Sequence, residues 1–551
     1  MARIFQNRRM SYRLFLNTLY GTAALIVGGA SAPYAAASAS EKTLVYCSEG
    51  SPAGFDPGLY TSGVEFTSSA ETVYNRLVDF KRGTTKLVPS LAERWEISED
   101  GREYTFYLRH GVKFHTTPWF KPTREFNAED VLFTFNRMRD PNMAFRRAYP
   151  TEFPYWHGTE LNRIVEKIEA VGADQMAVRF TLKEPNAGFL HNLAIPFASI
   201  HSAEYAAQLL KAGKPAQINQ RPIGTGPFIF RSHIKDTMIR FDGNPTYWKP
   251  ADVQLSKLIF SITPDAAVRL QKMKRNECQV AVYPRPADLA LFKADAHLRL
   301  LSQPGFSMSF LAYNVRHKPL NDVRVRRALD MAVNKKAIID AVYESHAQIA
   351  VAPMPPLQWS YDKNLQDAPR DVEKAKQLLE QAGYPNGFTV SLWAPPVQRT
   401  YNPNARLMAE MIQSDWAKIG VKANIVTYEW AEYLKRARQG EHDTGLFGWN
   451  GDNGEPDNWL SPLLSCAAVH TANQAKWCNK HFDELLQKAA HTSDENERTR
   501  LYIEAQKIFK DAQPFTPIAY PTVFQPIRKN VSGFKIHPFD QTIFRGVSIK
   551  P

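Results

Sequence analysis

Thr389-Val390-Ser391-Leu392-Trp393, the run from Asn404 to Ile419, and Val421-Lys422-Ala423-Asn424-Ile425-Val426 decide the fold. The first and last are short and apolar or β-branched, as strands require. The middle run is helical, with Leu407, Met411 and Trp416 expected on one side and Gly420 as its stop. Strand, helix and strand in that order imply a parallel sheet covered by helices, an α/β class.

Upstream, Asp371 to Ala382 reads as a helix stopped by Gly383, and Pro353 to Tyr361 as a proline-rich loop. A helical region from Val323 to Tyr343 presents Val325, Leu329, Ala332 and Val333 as its apolar face. Phe310-Leu311-Ala312-Tyr313-Asn314, Thr43-Leu44-Val45-Tyr46-Cys47 and Tyr104-Thr105-Phe106-Tyr107-Leu108 read as strands, and Phe260 to Ala266 as a strand running into a helix. Asn127 is placed to cap a helix that carries Glu129 and Asp130 in its first turn. Pro222-Ile223-Gly224-Thr225-Gly226-Pro227-Phe228 is superficially like a phosphate loop but lacks its Gly-Lys-Ser/Thr ending, so it reads as a turn. No low-complexity linker divides the chain, so its domains are expected to be joined by strands.

The chain has 551 residues, 44% hydrophobic and 22% charged, enough for more than one core. Residues 1–39 differ in kind. Arg3, Arg8, Arg9 and Arg13 precede an apolar run from Leu16 to Gly29, and Tyr34-Ala35-Ala36-Ala37-Ser38-Ala39 supplies small residues for cleavage. This is the plan of a secretory signal, with an apolar run too short for a membrane span. The net charge of +13 is spread along the chain among acids, without a basic block interleaved with aromatics. A solvated basic surface, and no nucleic-acid partner, is the reading.

Cys47, Cys278, Cys466 and Cys478 form no C-x-x-C pair and have no histidine at finger spacing, so no metal site is expected. An even count in an exported chain suggests two disulfides. Cys466–Cys478 with Cys47–Cys278 is the simplest pairing, although three connectivities are possible.

Two loops carry the chemistry. Gly448-Trp449-Asn450-Gly451-Asp452-Asn453-Gly454-Glu455-Pro456-Asp457-Asn458 offers a carboxylate, and Val397-Gln398-Arg399-Thr400-Tyr401-Asn402-Pro403 a guanidinium, each beside an aromatic ring. A small zwitterion, ammonium at one end and carboxylate at the other, needs such a pair. The glycines at 451 and 454 are read as letting the backbone approach a ligand. Taken alone, Asp452 equally suits an Asx turn and Arg399 a solvated surface. The acids of the first loop miss the alternate-residue register of a calcium loop. No G-x-S-x-G or H-E-x-x-H motif marks a hydrolase, and nothing sets a nucleophile beside Asp452 and Glu455, so no enzyme and no cofactor is expected.

Across the mature sequence the chain resembles the dipeptide-binding proteins of bacterial ABC transporters, within the peptide/nickel solute-binding family. The segments that carry this are Lys42 to Pro52, Leu91 to Glu96, Asn127 to Val131, Pro222 to Phe228, Phe388 to Pro403 and Gly448 to Asn458. The resemblance implies a two-lobed periplasmic-binding-protein fold, with mixed sheets covered by helices. Lobe I would comprise residues 40–303 and 523–551, with an extra subdomain at roughly 75–225; lobe II would comprise 304–522. It implies Asp452 for a peptide's ammonium, Arg399 for its carboxylate, and Thr61, Ser62 and Gly63 for its backbone. Thr400, Tyr401, Trp449, Asn450 and Gly451 would line the remaining space. A monomer serving an inner-membrane ABC permease is implied as well. Thr400, Glu455 and Trp459 depart from the family pattern, and Thr116 to Arg124 is similar to a sister branch linked to cationic peptides and haem. A haem or cationic-peptide receptor is therefore the alternative ligand reading.

Overall fold

The computed structural model describes residues 42–396, 399–539 and 541–550. The signal-peptide reading of residues 1–39 lies outside them, as do Val397 and Gln398.

Among the described residues the strands form one twelve-stranded sheet, one four-stranded sheet and two small ribbons. Along the large sheet the order is Lys422–Val426, Thr389–Trp393, Thr444–Asn450, Ser307–Tyr313, Phe515–Arg528, Val280–Ala281, Thr43–Ser48, Lys257–Ile262, Met238–Gly243 and Phe228–Ile234. Thr389–Trp393 runs parallel to both Lys422–Val426 and Thr444–Asn450, as the strand–helix–strand order requires. The helix between them, Ala405–Ala417, buries Met408, Ile412 and Trp416, one residue per turn. Leu407 and Met411, expected on the inner face, sit at its margin and are half-buried. Trp416 is fully enclosed, and its indole N–H donates to the Leu329 carbonyl at 3.0 Å.

Phe515–Arg528 is the long central strand. Its first half pairs with Ser307–Tyr313 and Ala347–Ile349, and its second half with Leu298–Pro304 and Val280. It is buried along most of its length, which suits a near-continuous apolar run. The four-stranded sheet orders Ala92–Ile97, Glu103–Leu108, Ala177–Leu182 and Val165–Val171, all antiparallel.

The helical region at 323–343 is two helices, Val323–Ala332 and Lys335–Val342. Asn334 breaks it. Its side chain caps the second helix by accepting from Ala337 N–H at 3.1 Å, and its own N–H donates to Asp415 at 2.8 Å. Asn127 caps Ala128–Arg139 as expected, accepting from Glu129 N–H while Asp130 accepts from the Asn127 N–H, a capping box. Gly224 and Gly226 pass so close to the backbone of Thr72 and Val73 that neither has room for a Cβ. Cys47–Cys278 and Cys466–Cys478 are bridged, with Cα atoms 5.8 and 4.5 Å apart. Among the described residues no helix is long and apolar enough to cross a membrane, and no group of three or more His, Cys, Asp or Glu is arranged to hold a metal.

Candidate functional site

Strand Thr444–Asn450 delivers the acidic loop. It ends opposite Ser307, and Gly451 N–H continues the ladder to the Phe306 carbonyl at 2.9 Å. Space around Gly451 is filled by the Phe306 and Trp459 rings, so its lack of a side chain serves internal packing. Gly454 has φ +77° and lies against Thr85. Both glycines thus have a packing role on the side where a Cβ would stand.

Beyond Gly451 the chain turns. The Asp452 N–H donates to Asn458 Oδ1 at 3.0 Å, and Asp452 Oδ1 accepts from the Tyr155 hydroxyl at 2.9 Å. Asp452 keeps part of its surface open to solvent, yet enough protein surrounds it that burial raises its carboxyl to about 6, against the opposing bonds from Tyr155 and Asn458. Among the described residues it has no cationic partner.

Glu455 differs. Burial alone would raise its carboxyl, but His191, 2.9 Å away, and Arg498 overcome this and hold it at about 2. Trp459 is fully enclosed, edge-on to Phe306 at 5.3 Å. Two of the three departures from the family pattern, Glu455 and Trp459, are thus buried and held by interior partners.

The second loop sits on this same strand. Arg399 and Asn402 exchange two backbone hydrogen bonds of 3.0 Å, closing a tight turn. The Tyr401 ring lies flat over Gly448, where a larger residue has no room. The Tyr401 carbonyl accepts from the Tyr343 hydroxyl at 2.8 Å, and Thr400 Oγ1 donates to Asn450 Oδ1 at 3.3 Å. Burial raises the Tyr401 hydroxyl to about 12, with the Arg399 charge opposing. The guanidinium carbon of Arg399 lies 4.2 Å from the centre of the Trp430 ring, a cation–π contact, and its side chain also hydrogen-bonds the Tyr401 hydroxyl. No carboxylate pairs with Arg399 among the described residues.

Thr61 and Ser62 are exposed and Gly63 half-buried at the start of helix Gly63–Ser68. The Ser62 hydroxyl donates to Glu65, which also accepts from Ala53 N–H at 3.0 Å. From the same helix the Phe66 ring lies 5.9 Å from that of Tyr155, and Tyr155 stacks on Phe197 at 5.7 Å. The strip at 61–63 is therefore linked to Asp452 through Phe66 and Tyr155. The preceding loop is fixed by Asp56, which receives both guanidinium nitrogens of Arg137 at 2.6 and 2.8 Å. Desolvation opposes the Asp56 charge, but Arg137 and His201 hold its carboxyl well below the usual range.

The expected residues thus fall into two linked groups: Arg399, Thr400 and Tyr401 with the strand at Gly448, Trp449 and Asn450, and Asp452 with the elements bearing Thr61 to Gly63. Trp449 is half-buried and its indole N–H lacks a hydrogen-bond partner among the described residues; Asn450 is exposed. Sequence reading missed Tyr155, Phe66, Phe197 and Trp430. Tyr155 lies 297 positions from Asp452, and no pattern in the chain ties them.

The sequence profile of the bacterial extracellular solute-binding proteins, family 5, matches residues 86–471. A dipeptide-binding protein of Pseudomonas aeruginosa is 58% identical, over 92% of this chain and 95% of that one. Heme-binding protein A of Haemophilus influenzae is 47% identical, over 93% of each. The crystal structure of a dipeptide-binding protein from Pseudoalteromonas sp. SM9913, in complex with Met-Leu, superposes with a TM-score of 0.79 at 38% identity, over 92% of this chain and all of that one. A profile match over most of the chain, with relatives this similar along nearly its whole length, establishes that the chain belongs to family 5 of the bacterial extracellular solute-binding proteins.

Proposed function

We propose that the protein captures dipeptides in the periplasm, between two lobes that close on the ligand, and hands them intact to an ABC permease. The observation that carries this reading is the pair of unneutralised opposite charges: Asp452 follows strand Thr444–Asn450 and Arg399 follows its parallel neighbour Thr389–Trp393, each without a partner of opposite sign among the described residues. An ammonium and a carboxylate supply the missing partners. Two fixed charges also measure length, because one residue advances the chain by at most about 3.6 Å. A dipeptide spans the gap and a longer peptide must buckle. Thr61 to Gly63 would meet the peptide backbone through hydrogen bonds indifferent to side-chain identity. Tyr401 and Trp449 would form the walls for varied side chains.

A division into lobes at 304 and 522 is supported by the change of partners along Phe515–Arg528, from Ser307–Tyr313 to Leu298–Pro304. The relatives named for dipeptides, at 58% and 38% identity, favour this ligand over haem, for which a relative at 47% is named.

Calorimetry with Met-Leu and N-acetyl-Met-Leu tests the proposal. The free dipeptide is expected to bind at one site and be recovered unhydrolysed, and the acetylated form to bind at least about 30-fold more weakly, since it has no ammonium for Asp452. Equal affinities, or haem binding in place of the dipeptide, overturn it.

The raised Asp452 carboxyl sets the pH dependence. An ammonium binds the ionised form, and protons compete for it below about pH 6. Affinity therefore falls as the pH drops through that value, to about one tenth at pH 5 of its level at pH 7.5. In Asp452→Asn this slope vanishes. The same shift has the opposite sign for folding: a carboxyl raised above its unfolded value of 3.8 makes the unliganded protein more stable as the pH falls from 6 toward 4.

A further inference from the structure

A groove of about 620 Å³ opens between the turn at Ala53–Phe55, the segment Pro118–Trp119, the stretch Asn219–Arg221 and strand Phe228–Ile234. It shares no residue with the peptide site. Pro118 and Trp119 belong to Thr116 to Arg124, a segment that the dipeptide reading leaves without a role.

Its inner face is a continuous set of rings. Phe55 lies 4.8 Å from Phe230 and 5.3 Å, edge-on, from the His233 imidazole, and Trp119 meets Phe230 edge-on at 6.3 Å. Phe55 and Phe230 are buried and close the floor; Trp119 and His233 are half-buried walls. His233 is fixed by a 2.9 Å hydrogen bond to Ser51.

The rim is cationic. None of the lining residues is an acid, and two are arginines. Asp242 holds Arg231 at 2.6 Å. Arg221 has no carboxylate partner among the described residues; its guanidinium carbon rests 6.0 Å from the Trp119 ring centre. A free planar fork beside an aromatic wall is the arrangement that takes a carboxylate in two parallel bonds while the attached ring packs on the wall. The volume is that of a small-molecule site.

We propose that the groove bounded by Phe55, Trp119, Arg221, Phe230 and His233 is a second ligand site, selective for an aromatic carboxylate. The shared chemistry has two sources: a free aromatic acid, or the C-terminal aromatic residue of a peptide too long for the Asp452–Arg399 gap.

Indole-3-acetate titrated calorimetrically into the full-length mature protein, with and without saturating Met-Leu, tests it. One saturable site is expected, with the same affinity in both conditions. Indole-3-ethanol, which lacks the carboxylate, should bind about tenfold more weakly, and Arg221→Gln should lower indole-3-acetate affinity about tenfold while leaving Met-Leu affinity unchanged. N-acetyl-Gly-Gly-Trp binding as well as indole-3-acetate assigns the site to peptide ends, and weaker binding assigns it to free acids; both results support the shared chemistry. The proposal is overturned by no saturable binding, by displacement of indole-3-acetate with Met-Leu, or by unchanged affinity in both Arg221→Gln and Trp119→Leu. The inference stands apart from the dipeptide reading, because the arm without Met-Leu gives its answer whether or not Met-Leu binds.

Discussion

Asp452→Ala and Arg399→Ala are each expected to weaken dipeptide binding by at least about 2 kcal/mol, roughly 30-fold, in calorimetry at pH 7.5. Truncating one member of a desolvated charged pair leaves the ligand's own charge without compensation, and that penalty dominates the loss. The two variants differ in what else changes. Asp452 lies in a half-buried turn where burial already opposes its charge, so its removal should not lower the melting temperature of the unliganded protein. Arg399 rests on Trp430, and its removal frees that ring as well. Arg399→Lys keeps the charge but not the fork, and should recover only part of the affinity. Wild-type affinity in both alanine variants would remove the proposed site.

The largest effect on stability is expected at Arg137. Arg137 and Asp56 are both fully enclosed and joined by two short hydrogen bonds, with His201 Nε2 3.2 Å from the same carboxylate. Arg137→Ala leaves the Asp56 charge buried beside one imidazole, and should cost about 3–5 kcal/mol in urea unfolding. Asp56→Asn in that background should return part of the loss, since the stranded charge is then gone. The pair also sets an acid limit. The Asp56 carboxyl is depressed in the folded protein, so its contribution is complete above the unfolded value of 3.8 and fades as the pH falls toward the folded one. Because Asp56 also accepts from Gly58 N–H at 3.1 Å, it shapes the loop leading to Thr61. A melting curve for Arg137→Ala that overlays the wild type would show this network to be dispensable.

What the sequence made legible were local signals with a fixed period or fixed chemistry. The parallel sheet was readable from Thr389 to Val426 because strand, helix and glycine stop follow one another without interruption. The Asn127 cap was readable because capping is complete within four residues. The break at Asn334 was less so: Val325, Leu329 and Val333 continue one apolar period up to it, and only the tertiary bond to Asp415 shows that the residue ends one helix and starts another. The packing role of two glycines was hidden for a related reason. Gly451 and Gly454 sit in a loop rich in ligand-like groups, yet the atoms that crowd them, Phe306, Trp459 and Thr85, come from distant parts of the chain. The candidate site follows the same rule. Asp452 and Arg399 stood out by charge and by family pattern, whereas Tyr155 and Trp430 are ordinary aromatics until folding brings them to those charges.

The central strand Phe515–Arg528 carries a consequence for biosynthesis. All of its partners, Val280, Leu298–Pro304, Ser307–Tyr313 and Ala347–Ile349, are made before it. A nascent chain therefore leaves the ribosome with the middle of its largest sheet missing, and its flanking strands keep open edges until translation is almost complete. The large sheet is completed only when this late strand arrives, whereas the four-stranded sheet, which does not use it, has all of its strands by Leu182.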